Sequence, residues 1–313
     1  MEHPTNLSEF TECVTKIGDA WFSGDVWGPW FRGQRKSAWE LCPKLYRPEY
    51  GGTERMKAEK MEDEIREEFI KRAPVLCEAL PGGSEAIAEW GWYFVMQHFG
   101  VPTRLLDWTE GALIALYFAV ANDPESDDPK CPKCGYQRSE DEGTSDAAVW
   151  VLNPYVLNKK VWRQVFRKKT EWVLPPSAIG LTKEDRKQVG CWLPPRFAKR
   201  RRLPRQAIAI EPTHTVRRIS SQHSCFTIHG EDSAALDRLG VELEKLEDKK
   251  VKQHCLVKIK IPGSQVQAIR RDLRLCGVDE VTIFPDLDGL GRAIGMRWER
   301  NNQSGCNRSK EKA

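Results

Sequence analysis

The stretch from Gln97 to Ala121 constrains the fold more than any other part of the sequence. Its first half predicts a short buried strand over Thr103 to Trp108, because the apolar pair Leu105 and Leu106 follows a segment of turn residues. Its second half, Gly111 to Ala121, contains no charged residue and predicts a helix that is buried on most sides. A chain with this stretch must therefore build a core around both elements.

Three polar residues lie in or directly beside the predicted strand: Arg104, Asp107 and Thr109. They are held between two apolar elements, where an unpaired charge would be strongly destabilising. These side chains are therefore paired with other buried groups, or they contact a ligand.

The composition bounds the class of protein. With 313 residues, of which 40% are hydrophobic, the chain can bury a sizeable core, and we expect one main domain. No apolar run is long enough to span a bilayer, and Met1 to Phe10 lacks a signal-peptide core, so a cytoplasmic protein without a membrane partner is expected. Ten scattered cysteines favour free thiols. The net charge of +4 does not by itself indicate nucleic acid.

Hydrophobic periodicity predicts an α+β fold with a mostly antiparallel, twisted sheet and flanking helices. Short strands are predicted around seven apolar positions: Phe31, Leu105, Val149, Ile208, Phe226, Val257 and Ile283. Helices are predicted in six further segments: Ser8–Ala20, Glu54–Leu80, Glu85–Phe99, Gly111–Ala121, Ser233–Glu247 and Gln265–Cys276. The strand at Ile283 covers Val281 to Phe284.

Changes in composition divide the chain into three parts. An N-terminal helix occupies residues 1–24, a main domain residues 25–294, and a polar tail residues 295–313. Within the main domain, residues 122–145 read as an acidic surface insertion and residues 159–206 as a basic, loop-like region.

The insertion contains Cys131 and Cys134 in a C-P-K-C-G sequence, which is half of a zinc knuckle. Zinc needs four ligands, and the remaining candidates (Cys191, Cys225, His214 and His223) are distant in sequence. Three interpretations remain open: a zinc site within the chain, a metal shared between chains, and a metal-free loop.

The basic region concentrates its charge between Arg196 and Arg205, close to the aromatic residues Trp192 and Phe197. Such a composition could contact the phosphates of a nucleic acid. The alternative is a solvated basic loop whose charge the acidic insertion neutralises.

Five ordered motifs give the chain a resemblance to the FRG domain, a family named after an F-x-R-G element. They are W-F-R-G-Q at 30–34, L-x-P-x-L-x-R at 41–47, Q-H-F-G-V-P-T-R-L-L-D-W-T at 97–109, a segment ending F-T-I-H-G at 226–230, and T-I-F-P-D-L-D-G-L at 282–290. The resemblance covers roughly Asp25 to Ile294 and is compatible with a bacterial toxin or phage-defence setting.

A second, partial resemblance is to the ADP-ribosyltransferases, in which an arginine on the first core strand contacts the phosphates of NAD. Arg32-Gly33 is similar to that element, and Leu106–Thr109 followed by Ala115–Ala119 is similar to the next strand and helix. The chain lacks the family's S-T-S sequence, and no E-x-E motif occupies a late strand. Asp286, Glu211 and Glu231 are the acidic residues near plausible late positions.

This second resemblance implies a site for NAD or another nucleotide. Cleavage of the bond to nicotinamide passes through an oxocarbenium-like state, which requires a cation for the diphosphate, an aromatic face and a carboxylate. Arg32 would be the cation, Trp108 the aromatic face, and Asp286 or Glu211 the carboxylate, with Asp107 as a further catalytic candidate. Six more residues would contact the ligand: Gly33, Gln34, Arg104, Thr109, Gln222 and His229.

Two alternatives accompany this hypothesis. In the first, Arg32, Asp107 and Asp286 form a buried ion-pair network that locks the strands, and polar residues such as Gln222 and His229 are satisfied inside the core. In the second, the protein is a non-catalytic module that binds nucleic acid or a protein partner through residues 159–206.

Overall fold

The computed structural model describes residues 3–22, 28–50, 55–76, 85–121, 145–167, 188–193, 203–212, 224–295 and 297–298. Seven strands occur in these ranges: β1 (Trp30–Gln34), β2 (Leu105–Thr109), β3 (Ala147–Leu152), β4 (Ile208–Ile210), β5 (Ser224–Ile228), β6 (Gly240–Glu242) and β7 (Leu256–Ile261). They form one sheet in the order β4-β5-β2-β1-β3-β7-β6. Every neighbouring pair is antiparallel except β6 and β7. The prediction of a mostly antiparallel α+β fold is confirmed.

The helices within the described residues are α1 (Leu7–Trp21), α2 (Arg55–Arg72), α3 (Glu85–His98), α4 (Ala112–Val120), α5 (Pro154–Phe166), α6 (Val266–Leu275) and α7 (Glu280–Ile283). A further helical segment covers 287–295 and 297–298. Helix α6 ends before Gly277, whose positive φ of 80° suits a glycine at that position. None of the helices in the described ranges is long and apolar enough to cross a membrane.

The sheet separates two hydrophobic clusters. Trp30 of β1 belongs to one cluster, which also contains residues of α3 and α5. Its neighbour Phe31 belongs to the other, which contains residues of α1, α4 and α6. Successive side chains of a strand point to opposite faces, so Arg32 lies on the Trp30 face and Gly33 on the α4 face.

Two predicted elements are different in the structure. Val281 to Ile283 belongs to α7 rather than to a strand, and Phe284 caps the end of that helix, because Asp279 forms a capping box with Thr282 and satisfies the first N–H groups of a helix. Ser233 to Glu247 is not a continuous helix, since it consists of short turns and the strand β6. At Gly240 the ring of Trp150 lies 2.6 Å from where a Cβ atom would be, so this segment packs closely on β3.

The start of the basic region is also different in the structure, because it is helical and not a loop. Residues Lys159 to Phe166 belong to α5, whose first turn is capped by the side chain of Asn153. Asn158 on this helix donates to the carbonyl of Ala209 at 2.9 Å and accepts from the N–H of Ala209 at 2.8 Å. A side-chain amide therefore continues the hydrogen bonding of the sheet beyond its edge strand β4.

Candidate functional site

Arg32 lies near the centre of the sheet, on β1, between β2 and β3. Its Nη1 donates to the backbone carbonyl of Asp107 at 2.7 Å and is 3.9 Å from Oδ2 of that residue. Its Nε is buried and has no hydrogen-bond partner among the described residues. The side chain as a whole remains 18% exposed. One part of the guanidinium is thus fixed, while another has an unused donor.

Burial and charges of both signs act on Arg32. Burial lowers the pKa of Arg32, the carboxylate of Asp107 opposes this shift, and the nearby charge of Arg47 adds to it. An anion placed here would relieve the unfavourable desolvation of Arg32.

Asp107 is oriented by Gln97, which is near the end of α3. The side-chain amide of Gln97 donates to Asp107 Oδ2 at 2.8 Å, and the hydroxyl of Thr103 donates to Gln97 Oε1. The carboxylate is 57% exposed, so it can meet a ligand from solvent. The motif around residues 97–107 thus places an accessible carboxylate beside Arg32.

Arg104 has a different environment, because it is almost completely buried. Its Nε contacts both carboxylate oxygens of Glu62, at 2.8 and 2.9 Å. Its Nη1 donates to the carbonyl of His229 at 2.7 Å, and its Nη2 to the carbonyl of Trp192 at 2.5 Å. Burial opposes the charged form, but Glu62 raises the pKa of Arg104 above its usual value. Each guanidinium nitrogen has a protein partner, which favours a role in holding the fold.

His229 follows β5 and is fully buried. Its backbone N–H donates to the carbonyl of Arg104 at 3.0 Å, so the two residues continue the pairing of β5 with β2. Neither ring nitrogen makes a well-formed hydrogen bond within the described residues, although the backbone of Ser233 is close enough to oppose the lowering of its pKa. Burial and the charge of Arg104, with a smaller effect from Arg32, lower the pKa of His229 to about 3. His229 is therefore a neutral imidazole in the neighbourhood of two arginines.

Gly33 and Gln34 have packing roles. A Cβ atom on Gly33 would lie 1.9 Å from the carbonyl oxygen of Ala115, so glycine is needed for α4 to lie directly on β1. Gln34 is buried, where it accepts from the indole of Trp150 at 2.7 Å and donates to the carbonyl of Glu40 at 3.1 Å. Both residues shape the surroundings of Arg32 without presenting a polar group to solvent.

Trp108 lies beside Arg32, because the pairing of Phe31 with Thr109 places the next position of β1 opposite Trp108. Its indole N–H donates to the hydroxyl of Thr227 at 3.0 Å, and only 3% of the residue is exposed. The hydroxyl of Thr109 accepts from the N–H of Gly111 at 3.1 Å. Stacking of a ligand on Trp108 stays a prediction, and the burial of the ring does not favour it.

Glu211 lies with Glu110 at one end of the sheet. Strands β2 and β4 run in the same direction, because both are antiparallel to β5, and each glutamate directly follows its strand. Burial, followed by the charge of Glu110, raises the pKa of Glu211 to about 7. The same carboxylates contribute, after burial, to raised pKa values of Tyr155 and Cys225. Glu110 comes two residues after Trp108, which is the residue opposite Arg32. Two residues span about 7 Å along an extended strand.

Asp286 is not brought together with Arg32. It follows α7 and accepts from the N–H of Gly289 at 2.7 Å. This segment lies against α4, since the ring of Phe284 contacts Phe118. Helix α4 covers the opposite face of the sheet from the one on which the Arg32 side chain lies. The geometry therefore favours Asp107 over Asp286 as the carboxylate of a site at Arg32, whereas Glu211 follows β4, which is three inter-strand spacings, about 14 Å, from β1.

Comparison with known families adds one finding to this geometry. Residues 28–128 match the model of the FRG domain, a range that contains Arg32, Gly33, Arg104 and Asp107. The matched residues make up about a third of the chain. Searches of curated proteins and of solved structures gave no match. The matched segment provides β1, β2 and α4, so these two neighbouring strands and Arg32 of β1 lie inside the matched range.

Several predicted residues lie outside the described ranges. These are Gln222, the two cysteines Cys131 and Cys134, and positions 196–202 of the basic segment. Within the described residues, no group of histidine, cysteine and acidic side chains could hold a metal ion. Zinc at the C-x-x-C sequence and nucleic acid at residues 196–205 therefore stay predictions.

Sequence reasoning missed the role of Glu62 and the proximity of Glu110 to Glu211. Glu62 is on α2, in a segment so rich in charge that it predicts a solvated face. Arg104 could have indicated the role of Glu62, because a buried arginine requires a carboxylate partner from elsewhere in the chain.

Proposed function

We propose that the FRG domain binds the diphosphate of a nucleotide of the NAD class at Arg32 and acts as an ADP-ribosyltransferase-type enzyme. One observation carries the proposal: Arg32 Nε is a buried donor without a partner among the described residues, on a side chain that is still partly exposed. A buried donor of this kind normally has a hydrogen-bond acceptor, and a phosphate oxygen would supply one.

The charge balance supports a phosphate over a neutral ligand. Arg47 lies close enough to affect the pKa of Arg32, whereas Arg104 is already paired with Glu62. A phosphate group near Arg32 would act against this unfavourable effect of Arg47, and one of its oxygens would accept a hydrogen bond from Arg32 Nε.

Asp107 and Glu211 suit different tasks. Asp107 is exposed beside Arg32, where a carboxylate can stabilise positive charge that develops on a ribose. Glu211 has a pKa of about 7, so it exchanges a proton near neutral pH and suits activation of an acceptor group. Both assignments are part of the proposal and depend on a ligand bound at Arg32.

Ligand binding is tested by the melting temperature of the purified protein with NAD, ADP-ribose or nicotinamide. A ligand at 100 times its Kd adds about 2.7 kcal/mol to the free energy of unfolding. We expect NAD and ADP-ribose to stabilise the wild type, and nicotinamide, which lacks phosphate, to have no effect. Arg32→Gln should abolish the response, while Arg271→Gln on the exposed surface of α6 should preserve it.

Catalysis is tested separately by release of nicotinamide from NAD. Asp107→Asn should reduce release while the variant still binds ADP-ribose, because Arg32 is unchanged. If neither NAD nor ADP-ribose stabilises the wild type, the proposal is wrong. If they bind without nicotinamide release by the wild type, the domain is a binding module and the enzymatic part is wrong.

A further inference from the structure

The L-x-P-x-L-x-R sequence at 41–47 ends in an arginine that lies in the neighbourhood of Arg32. Its apolar positions, Leu41, Pro43 and Leu45, are buried, so they hold the segment in the core. Its last position, Arg47, is only partly buried. The charged end of this motif is therefore the part that can meet a ligand.

The turn before Arg47, Lys44–Tyr46, is fixed to the rest of the protein at three points. Each of its residues donates a hydrogen bond to a distant backbone carbonyl: Lys44 Nζ to Gly100 at 2.9 Å, Leu45 N to Thr103 at 3.2 Å, and Tyr46 Oη to Gly230 at 2.5 Å. Arg47 follows directly, so the fold determines where its backbone lies.

A run of contacts connects this turn to the Arg32 site. Thr103, which accepts from Leu45, donates through its hydroxyl to Gln97 Oε1. The side-chain amide of Gln97 donates to Asp107 Oδ2, and that oxygen is 3.9 Å from Arg32 Nη1. Two side chains, those of Thr103 and Gln97, therefore link the turn to the carboxylate beside Arg32.

The charge of Arg47 acts on the same neighbourhood. Burial lowers the pKa of Arg32, and Arg47 adds to that shift. Burial raises the pKa of Cys42 to about 11, and Arg47 opposes that rise. Two arginines from separate elements, β1 and the end of the 41–47 motif, thus act on one another, and an anion between them would offset their repulsion.

The two arginines suit the two phosphoryl groups of a diphosphate. Arg32 Nη1 donates to the carbonyl of Asp107, and its buried Nε is a donor for one phosphate oxygen. A single phosphate can be bound by that contact. A second, linked phosphate brings its own negative charge, which a second guanidinium complements.

We propose that Arg32 contacts one phosphoryl group of the ligand and Arg47 the other, so that the site selects ligands with two linked phosphates over ligands with one. The inference rests on the proposed binding of a nucleotide at Arg32. It makes Arg47 a specificity residue that recognises the second phosphate, and not the base or the ribose.

The test is the selectivity between ADP and AMP, which differ by one phosphate, measured by titration calorimetry. We expect the wild type to bind ADP at least about tenfold more tightly than AMP, because hydrogen bonds between charged groups are among the strongest. Arg47→Gln should lose about tenfold in ADP affinity and change AMP affinity by less than about twofold. Arg32→Gln should weaken the binding of both ligands.

Two further variants serve as controls. Arg47→Lys keeps the charge without the planar guanidinium, so its ADP affinity should be intermediate. Arg72→Gln should leave both affinities unchanged, because Arg72 lies in the same matched range but pairs with Glu68 on the exposed surface of α2. Circular dichroism checks that each variant is folded, and the ratio for the wild type requires no variant.

The outcomes separate this inference from the proposed function. Equal affinities of the wild type for ADP and AMP overturn the inference, and so does an Arg47→Gln variant that weakens both ligands equally, since a residue that only shapes the site would do so. In both cases, binding that Arg32→Gln abolishes leaves the proposed function intact.

Inorganic pyrophosphate and phosphate test the opposite failure. If the wild type prefers pyrophosphate to phosphate through Arg47 but binds no nucleotide, the two-arginine site is supported and the proposed function is wrong. If none of these ligands binds, both are wrong.

Discussion

The carboxylate of Glu62 binds Arg104 through both oxygens, at 2.8 and 2.9 Å, although 42 residues separate them along the chain. Neither side chain is more than 1% exposed. The hydroxyl of Tyr93 also donates to Glu62, and burial, followed by the charge of Glu62, raises the pKa of that tyrosine. The pair therefore joins α2 and α3 to the start of β2, directly behind the strand that carries Asp107.

Removal of the Glu62 charge should destabilise the protein strongly. Glu62→Gln leaves the Arg104 guanidinium buried without its counter-charge, and such a loss typically costs about 3–5 kcal/mol of folding free energy. Urea unfolding measures the change. Glu64→Gln is the matched control, because Glu64 lies on the same helix in an exposed pair with Lys60 at 3.6 Å and should cost less than about 1 kcal/mol. Equal effects of the two variants would contradict the network.

The glycine after Arg32 should be intolerant of a methyl group. In Gly33→Ala the new Cβ would lie 1.9 Å from the carbonyl oxygen of Ala115, so α4 must move away from β1. We expect a loss of about 1–3 kcal/mol, typical of overpacking. Gly18→Ala in α1 should instead stabilise by about 0.5–1 kcal/mol, because its Cβ position is open. Thermal unfolding of both variants separates the steric effect from the general effect of replacing glycine.

Local patterns were sufficient to predict most elements of the sheet. The uninterrupted apolar run Ala147–Leu152 is completely buried as β3, and the charge-free segment after Gly111 is α4. Sequence reasoning failed where a local polar contact outweighed β propensity, as at Val281 to Phe284, where the Asp279 capping box starts a helix. It failed again where tertiary packing outweighed helical spacing, as at Gly240 on the ring of Trp150.

The candidate site was predictable only in part, for a related reason. The motif residues Arg32 and Asp107 do lie together, because β1 and β2 are neighbours in the sheet. Asp286 lies behind α4, since its position depends on how the last helices pack rather than on the motif. Partners such as Glu62 belong to segments whose own composition indicates only a solvated helix.

Glu211 should make the protein less stable as the pH rises. Its folded-state pKa of about 7 exceeds its ordinary value of 4.5, so the folded state binds more protons than the unfolded state in this window. Stability therefore falls between about pH 4.5 and pH 7, by about 1–2 kcal/mol after solvent screening of this partly exposed group. Glu211→Gln should remove this fall in denaturant titrations.

Glu110 provides the control for that titration. Glu110→Gln removes the smaller cause of the shift and leaves burial, so the fall in stability should become shallower without disappearing. Glu12→Gln, on the exposed surface of α1, should leave the pH dependence unchanged. The variants account for the pH dependence of other groups. If the remaining part of the wild type's stability does not change between about pH 4.5 and pH 7, the raised pKa of Glu211 is contradicted.

Asn158 should be needed to protect the edge of the sheet. Its amide pairs with both the N–H and the carbonyl of Ala209, so Asn158→Ala leaves two buried backbone groups of β4 unpaired. A loss of about 2–4 kcal/mol follows from typical costs of unsatisfied buried groups.

An edge strand with free backbone groups also pairs with other chains, so light scattering of Asn158→Ala should show more aggregation on heating. Asn158→Asp keeps an acceptor for the Ala209 N–H but buries a charge beside the Ala209 carbonyl, so a loss at least as large as that of Asn158→Ala is expected. If Asn158→Ala is as stable as the wild type, other groups form the hydrogen bonds of the β4 edge, and α5 does not protect that edge.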